Sequence, residues 1–386
     1  GNYKLQMTMD GKYATTIVQT GVRKTDTVIA SVPVFNLQSS LSGGYFKYAS
    51  LPQAVSGISF NLNASCPDSN YHHASLALDN INATALSNFI KGYIKISAAN
   101  DFPVDANLQT VFHLADIKQF YPLDSIDLKG DLNVDVQSKG NYNPGKKMFP
   151  VTKANISLQN GSLQTKYYPH PIEKIQVLAN VLSTNGSLKD LALNIQPVSF
   201  EFEGQPFQVK ADFKDFDNLN YNIASNGVID IGKIYKVFAM KGYDVKGYLE
   251  TNLSLQGLQS DATAGRYNKL FNSGTVKVKA VTVSSDLFPK PFLINTGVFR
   301  FNQDKIGFDE FNANYGGSDF SLNGYLSNVI NYALKDHEPL KGKFDLKSNT
   351  IITDEFMAFA DSSASATPAT DTATGVIVVP QNLDIN

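Results

Sequence analysis

The fold is decided by stretches such as FQVKADFK at residues 207–214, in which apolar and polar side chains alternate with a period of two. The same alternation recurs in LETNLSLQ at residues 249–256, and over residues 154–159, 219–223 and 320–323. Strands with one apolar and one polar face belong to antiparallel sheets that are solvated on one side. The chain is therefore expected to be mainly β, built from repeated antiparallel amphipathic strands.

Asn-Gly and Asp-Gly dipeptides predict hairpin turns between these strands, because both central residues of a type I′ turn need positive φ. The five dipeptides begin at Asp10, Asn160, Asn185, Asn226 and Asn323.

Helical patterns are few and short, each with an Asn or Asp near its start as a possible cap. They cover residues 84–91, 116–121, 231–240 and 326–334. So little helix cannot cover the apolar face of so many strands. That face must pack on a second sheet, curl around itself or meet a ligand.

Composition excludes several classes of protein. The 386 residues carry a formal net charge of -2 and only three Arg, so nucleic acid is not an expected partner. The single cysteine, Cys66, excludes an intrachain disulfide framework and a Cys-based zinc site. No catalytic signature such as Gly-x-Ser-x-Gly, a P-loop or His-Glu-x-x-His occurs. The chain is expected to be no enzyme, with no catalytic residues, no metal and no cofactor.

A degenerate repeat runs through the chain. Leu128-Lys129-Gly130 recurs as Val245-Lys246-Gly247 at an offset of 117 residues, and Gly44 recurs as Gly161 at the same offset. A shorter third copy covers residues 274–342. Repeated β units suggest one extended sheet that grows by the addition of units side by side.

These signals predict six divisions of the chain. Residues 1–37 supply strands that complete a preceding unit, and residues 38–140, 151–257 and 273–350 form three β repeats, the third shorter. Residues 361–375, rich in Ser, Ala, Thr and Asp, predict a flexible linker. Residues 376–386 predict the start of a truncated further β region. Because the chain opens with Gly1 and has no initiator Met, it is expected to be a fragment of a longer protein.

One order of motifs resembles a known family. The strand ANISLQNGSL at residues 154–163 is followed by DLALNI at 190–195 and by DVKG at 244–247. This order resembles the periplasmic region of the AsmA-like family, over roughly residues 38–350. The resemblance implies a long curled β-sheet with an apolar inner groove, in a periplasmic protein that an N-terminal helix outside this chain anchors to the bacterial inner membrane. It implies phospholipid acyl chains as ligands, contact with the inner and outer membranes through missing parts, and a role in outer-membrane biogenesis.

The apolar rows of the central strands supply the candidate lining of such a groove. The predicted lipid-binding residues are Ile175, Val177, Val181, Phe200, Phe202, Phe207, Val209, Phe213, Leu249, Leu253 and Leu255. The same rows also suit the cores of β-sandwich repeats, which are the more common arrangement on the residues alone. The resemblance favours the groove, and with it a lipid-binding or lipid-conducting segment. The alternative is a structural or adhesive cell-surface β-sandwich protein.

Overall fold

A computed structural model describes residues 1–21, 24–237, 244–284, 290–335, 338–355 and 383–385 of the chain. Strands account for 67% of it and helices for 11%, so the predicted mainly-β class is confirmed. Four of the five alternating stretches lie wholly in a strand, and the fifth, residues 219–223, begins one residue before its strand.

The strands are numbered in chain order. The first ten are β1 (Asn2–Asp10), β2 (Ala14–Gly21), β3 (Lys24–Ser31), β4 (Val34–Phe46), β5 (Val55–Cys66), β6 (Ser75–Ala85), β7 (Asn88–Ser97), β8 (Pro103–His113), β9 (Ile126–Asn141) and β10 (Val151–Thr165). The others are β11 (Tyr168–Ser183), β12 (Ala192–Phe202), β13 (Gln205–Lys214), β14 (Asn220–Asp230), β15 (Asp244–Leu258), β16 (Ser273–Ser284), β17 (Phe292–Asn302), β18 (Lys305–Tyr315), β19 (Ser318–Ser327), β20 (Leu340–Lys347) and β21 (Leu383–Ile385).

One antiparallel sheet contains eighteen of these strands, β1 and β4 to β20. β21 pairs in parallel with β20, and β2 pairs with β3 in a separate two-stranded ladder. The single sheet agrees with the predicted extended antiparallel architecture and differs from the alternative of separate sandwiches.

The chain divides into two compact units. Unit 1 comprises Gly1–Leu163, Lys174–Pro197 and Phe213–Asp217, and it contains β1 to β9 in full. Unit 2 comprises Gln164–Glu173, Val198–Asp212 and Asn218–Asn386, and it contains β14 to β20 in full. The six predicted divisions stay predictions, and the linker at 361–375 lies outside the described residues.

Within unit 1, β1 pairs with β4, and from there each strand pairs with the next in sequence as far as β9. Within unit 2 the same meander runs from β14 to β20. Side chains directly opposite each other in such a ladder lie on the same face of the sheet. The registers of the paired strands therefore decide which residues share a face.

Within the described residues four short α-helices accompany the strands: α1 (Ile117–Phe120), α2 (Ile231–Val237), α3 (Gln259–Thr263) and α4 (Val329–Leu334). The helix predicted at residues 84–91 is wrong. That segment is the hairpin between β6 and β7, with Leu86 in the turn at φ 54°. Asp230 caps α2 as predicted, since its carboxylate accepts the N–H of Lys233 at 3.0 Å.

Three of the five predicted hairpin turns are also wrong. The dipeptides that begin at Asn160, Asn226 and Asn323 lie inside β10, β14 and β19. Positive φ is present in each, but the strand continues through it. At Gly227, φ is 133° and a Cβ atom would stand 2.3 Å from the carbonyl oxygen of Pro206. The neighbouring backbone approaches so closely there that only glycine fits.

The repeat has a structural counterpart in unit 1. A Cβ on Gly44 would meet the side chains of Leu41 and Ile58, and a Cβ on Gly161 would meet those of Leu158 and Ile175. Leu41 and Leu158 are 117 residues apart, and so are Ile58 and Ile175, the same offset that separates the two glycines. The offset therefore relates two matching local packings.

The buried apolar core is small. Among the described residues fifteen apolar side chains are buried, and five of these are alanine. A sheet sealed face to face against another layer would bury its long aliphatic rows. In this chain most of those rows are only half-buried.

Candidate functional site

Unit 1 carries a continuous apolar surface on one side of its sheet, referred to below as its apolar face. Register places one row of apolar side chains across six neighbouring strands. The row consists of Met7, Leu37, Ala64, Leu76, Ile96 and Val104. A parallel row consists of Leu5, Ser39, Leu62, Leu78, Ile94 and Ala106, in which the buried Ser39 is the one polar member.

This face stays accessible. Leu5, Met7 and Met9 on β1 expose 54–63% of their surface, and Leu76 exposes 37%. The aliphatic side chains farther along the rows are half-buried and so keep part of their surface accessible. Long aliphatic and thioether side chains in an accessible row form a surface that suits an apolar ligand.

A buried hydrogen-bond cluster closes one end of the face. Asn88, only 1% exposed, donates to the carbonyl of Ala85 at 3.0 Å and to the carboxylate of Asp116 at 3.1 Å, and it accepts the N–H of His113 at 2.6 Å. Phe120, at the end of the α1 helix that directly follows Asp116, is also buried.

Unit 2 repeats the pattern with larger side chains. Its principal row crosses six strands and consists of Thr251, Val276, Phe299, Phe308, Gly324 and Phe344. Phe308 contacts three other rings, with centroid distances of 5.0 Å to Phe299, 6.0 Å to Phe311 and 5.1 Å to Phe344. These four residues form the phenylalanine cluster, with the edge-on geometries that aromatic pairs favour.

The predicted lining residues fall in both units. Leu249, Leu253 and Leu255 share the apolar face of β15, where Leu249 lies opposite Ile229 and Leu255 lies opposite Ile223. In unit 2 the rings of Phe200 and Phe207 pack at 5.5 Å, and Val209 is half-buried. Phe202, 5% exposed, packs on the ring of Tyr168 at 5.5 Å and is a core residue that leaves little surface for a ligand.

Four predicted residues belong to unit 1. Ile175, Val177 and Val181 are half-buried and alternate with exposed neighbours along β11, and Phe213 is half-buried. Sequence reasoning missed the rows of β4 to β8 and the phenylalanine cluster. Alternation in SFNLNA at residues 59–64 and in YIKIS at 93–97 is a signal that identifies the former.

The opposite side of the unit 1 sheet, its polar face, holds ion pairs between adjacent strands. Lys95 Nζ lies 3.0 Å from Asp79, and Lys139 Nζ lies 3.3 Å from Asp105. The hydrogen bond from Lys95 to Asp79 raises the pKa of the lysine, because it stabilises the charged form. The hydroxyl of Tyr93 donates to Asp105 at 2.9 Å, and this bond raises the pKa of the tyrosine.

The described ranges contain no group of three or more His, Cys, Asp or Glu side chains arranged to hold a metal ion. In the same part of the chain, no helix has both the length and the apolar character needed to span a membrane.

Comparison with known proteins gives no relative: no family model, no curated protein and no solved structure matches this chain. The described residues therefore define only a fold class: a mainly-β protein with one antiparallel sheet whose two faces differ in polarity.

Proposed function

We propose that this chain is a non-enzymatic lipid-binding segment that shields the acyl chains of phospholipids on its apolar sheet face. One observation carries the proposal: the apolar row of unit 1 crosses six adjacent strands and stays accessible. The resemblance to the AsmA-like family supports a periplasmic location and a role in outer-membrane biogenesis.

The energetics of acyl chains favour such a surface. Each CH₂ group exposed to water costs about 0.8 kcal/mol, so a chain of about twelve costs roughly 10 kcal/mol. A protein that holds such a chain in an aqueous compartment must offer apolar area along its length. Six strands at about 4.8 Å spacing provide a row roughly 24 Å long.

The test is extraction of the purified protein with organic solvent, followed by mass spectrometry of the extract. Near-stoichiometric phospholipid is expected from the wild type. Leu253→Asp places a carboxylate on the apolar face of β15, whereas Asn252→Asp places the same group on the exposed opposite face one residue away. If acyl chains also lie on the apolar face of unit 2, the first variant should retain less lipid than the second, because burying a carboxylate against acyl chains is strongly unfavourable.

A second matched pair of variants distinguishes loss of lipid binding from misfolding. Met7 is 54% exposed on β1, so Met7→Asp leaves no buried charge in the protein, and Thr8→Asp is its control on the other face. Circular dichroism and the urea midpoint verify that each variant is folded. Equal lipid retention within both pairs contradicts the proposal. A clean wild-type extract without uptake of added fluorescent phospholipid favours the structural or adhesive alternative.

A further inference from the structure

A depression of about 760 Å³ lies in unit 1 and is lined mainly by side chains of the polar face, together with Leu41 and Ile81. Its lining includes Asn61, Asn82, Lys91, Tyr93, Asn107 and Gln109, which come from β5 to β8. Register brings these side chains together, since Asn82 lies opposite Lys91 and Tyr93 lies opposite Asn107. Leu41 and Ser42 of β4 complete the lining, so five consecutive strands of one unit build the depression.

Amide groups dominate its chemistry. Each carboxamide both donates and accepts hydrogen bonds. Asn61 and Asn107 are half-buried, and their side chains bond to no other described residue. Asn82 is fixed by a 2.7 Å bond to the carbonyl of Gly57. Free and fixed amides side by side suit a ligand that presents several hydroxyl groups, because a hydroxyl likewise donates and accepts.

An aromatic ring lies among these amides and is held in place. The Tyr93 hydroxyl donates to Asp105, and the ammonium of Lys95 lies 5.5 Å from the ring centroid. A positioned ring in a polar depression provides a platform for the C–H face of a sugar, while its surroundings bind the hydroxyls.

The charges of the depression favour a neutral ligand. Its two ionised side chains, Asp79 and Lys91, have opposite signs, and Asp79 is already paired with Lys95 at 3.0 Å. Three interstrand spacings of about 4.8 Å separate β5 from β8, or roughly 14 Å. This span fits a short oligosaccharide.

From these observations we infer that the polar face of unit 1 binds a neutral carbohydrate, with Tyr93 as the stacking platform and Asn61 and Asn107 as hydrogen-bonding groups. The site is independent of the lipid proposal, because alternate residues of the same strands point to opposite faces.

The test is a screen of the purified protein against an array of neutral glycans, followed by isothermal titration with the strongest glycan. Saturable binding at micromolar to millimolar Kd is expected. Asn107→Ala should weaken binding about tenfold, the effect of one lost hydrogen-bonding group. Tyr93→Ala should weaken it further, whereas Tyr93→Phe keeps the ring and should retain most of the affinity. Asn222→Ala, at an exposed polar position on β14 in unit 2, should bind as the wild type does.

Two results overturn the inference. One is an array without binding above background, or with binding by charged glycans alone. The other is titration in which Tyr93→Ala and Asn107→Ala, both folded by circular dichroism, match the wild type. Neither result bears on lipid retention, which is measured on the opposite face.

Discussion

Gly92 is the position at which a single methyl group should damage the sheet most clearly. It lies in the middle of β7 with φ at 150°, and a Cβ there would stand 2.0 Å from the carbonyl oxygen of Asn107 and 2.9 Å from the Cα of Leu108. Gly92→Ala therefore pushes a methyl group into the backbone of β8. Gly43 is the matched control, because its φ is also positive, at 60°, and nothing lies within 4 Å of the added Cβ.

The cost at each position follows from these geometries. Ala at Gly43 carries only the left-handed backbone penalty, about 1–2 kcal/mol. Ala at Gly92 carries about 1–3 kcal/mol of backbone strain. It must also open the ladder between β7 and β8, and losing two hydrogen bonds adds about 1–3 kcal/mol. Gly92→Ala should therefore destabilise the protein by about 4 kcal/mol, roughly 2–3 kcal/mol more than Gly43→Ala.

Urea unfolding followed by far-UV circular dichroism measures this difference. The midpoint should fall for both variants and fall much farther for Gly92→Ala. If Gly43→Ala lowers the midpoint as much as Gly92→Ala does, the close approach of β7 and β8 at Gly92 is not what constrains this residue to glycine.

Two further predictions concern unit 2. Phe308→Ala removes the one ring that contacts all three others of the phenylalanine cluster, so a loss of about 2–4 kcal/mol is expected in urea unfolding. Phe271→Ala, at a site 65% exposed, should stay within about 0.5 kcal/mol, and equal losses would contradict the packing role of the cluster. Hydrogen bonds from Lys290 and from the Gly317 N–H lower the pKa of Glu355 to about 2 from its usual 4.5. Because the folded pKa is the lower one, the stability that Glu355 adds is complete above about pH 4.5 and is lost as the pH falls toward 2. Glu355→Gln should flatten that part of the stability profile in acid titrations, and parallel profiles for variant and wild type would show that the carboxylate contributes no such term.

The strands and their faces were largely predictable from sequence, because amphipathic alternation is a local property. The row of Leu249, Leu253 and Leu255 is visible in β15 alone, and the structure places all three on one face. Register is not local. Thr251 lies opposite Val276, and Val276 lies opposite Phe299. These pairings depend on how three strands align, and the sequence of one strand alone does not specify the alignment.

The mispredicted turns have a related cause. Asn-Gly at Asn226 favours positive φ wherever it occurs, and that preference is compatible both with a hairpin turn and with a close backbone approach inside a strand. The distinction lies in the backbone of β13, which closes on Gly227 from outside the local sequence. The helix prediction at residues 84–91 is wrong because Leu86 adopts a φ of 54° in a turn. A leucine rarely has positive φ, so the sequence does not indicate a turn at this position.

The two proposed ligands can be separated at adjacent residues of one strand. On β8, Leu108 lies opposite Val136 on the apolar face, and Asn107 lies opposite Tyr93 on the polar face. Leu108→Asp places a charge where acyl chains would lie, whereas Asn107→Ala removes an amide where a sugar would bind. If each change affects only its own ligand, the sheet has two independent binding faces. If both changes abolish both ligands, they act through a shared distortion of β8, and the polarity of the faces does not explain the binding.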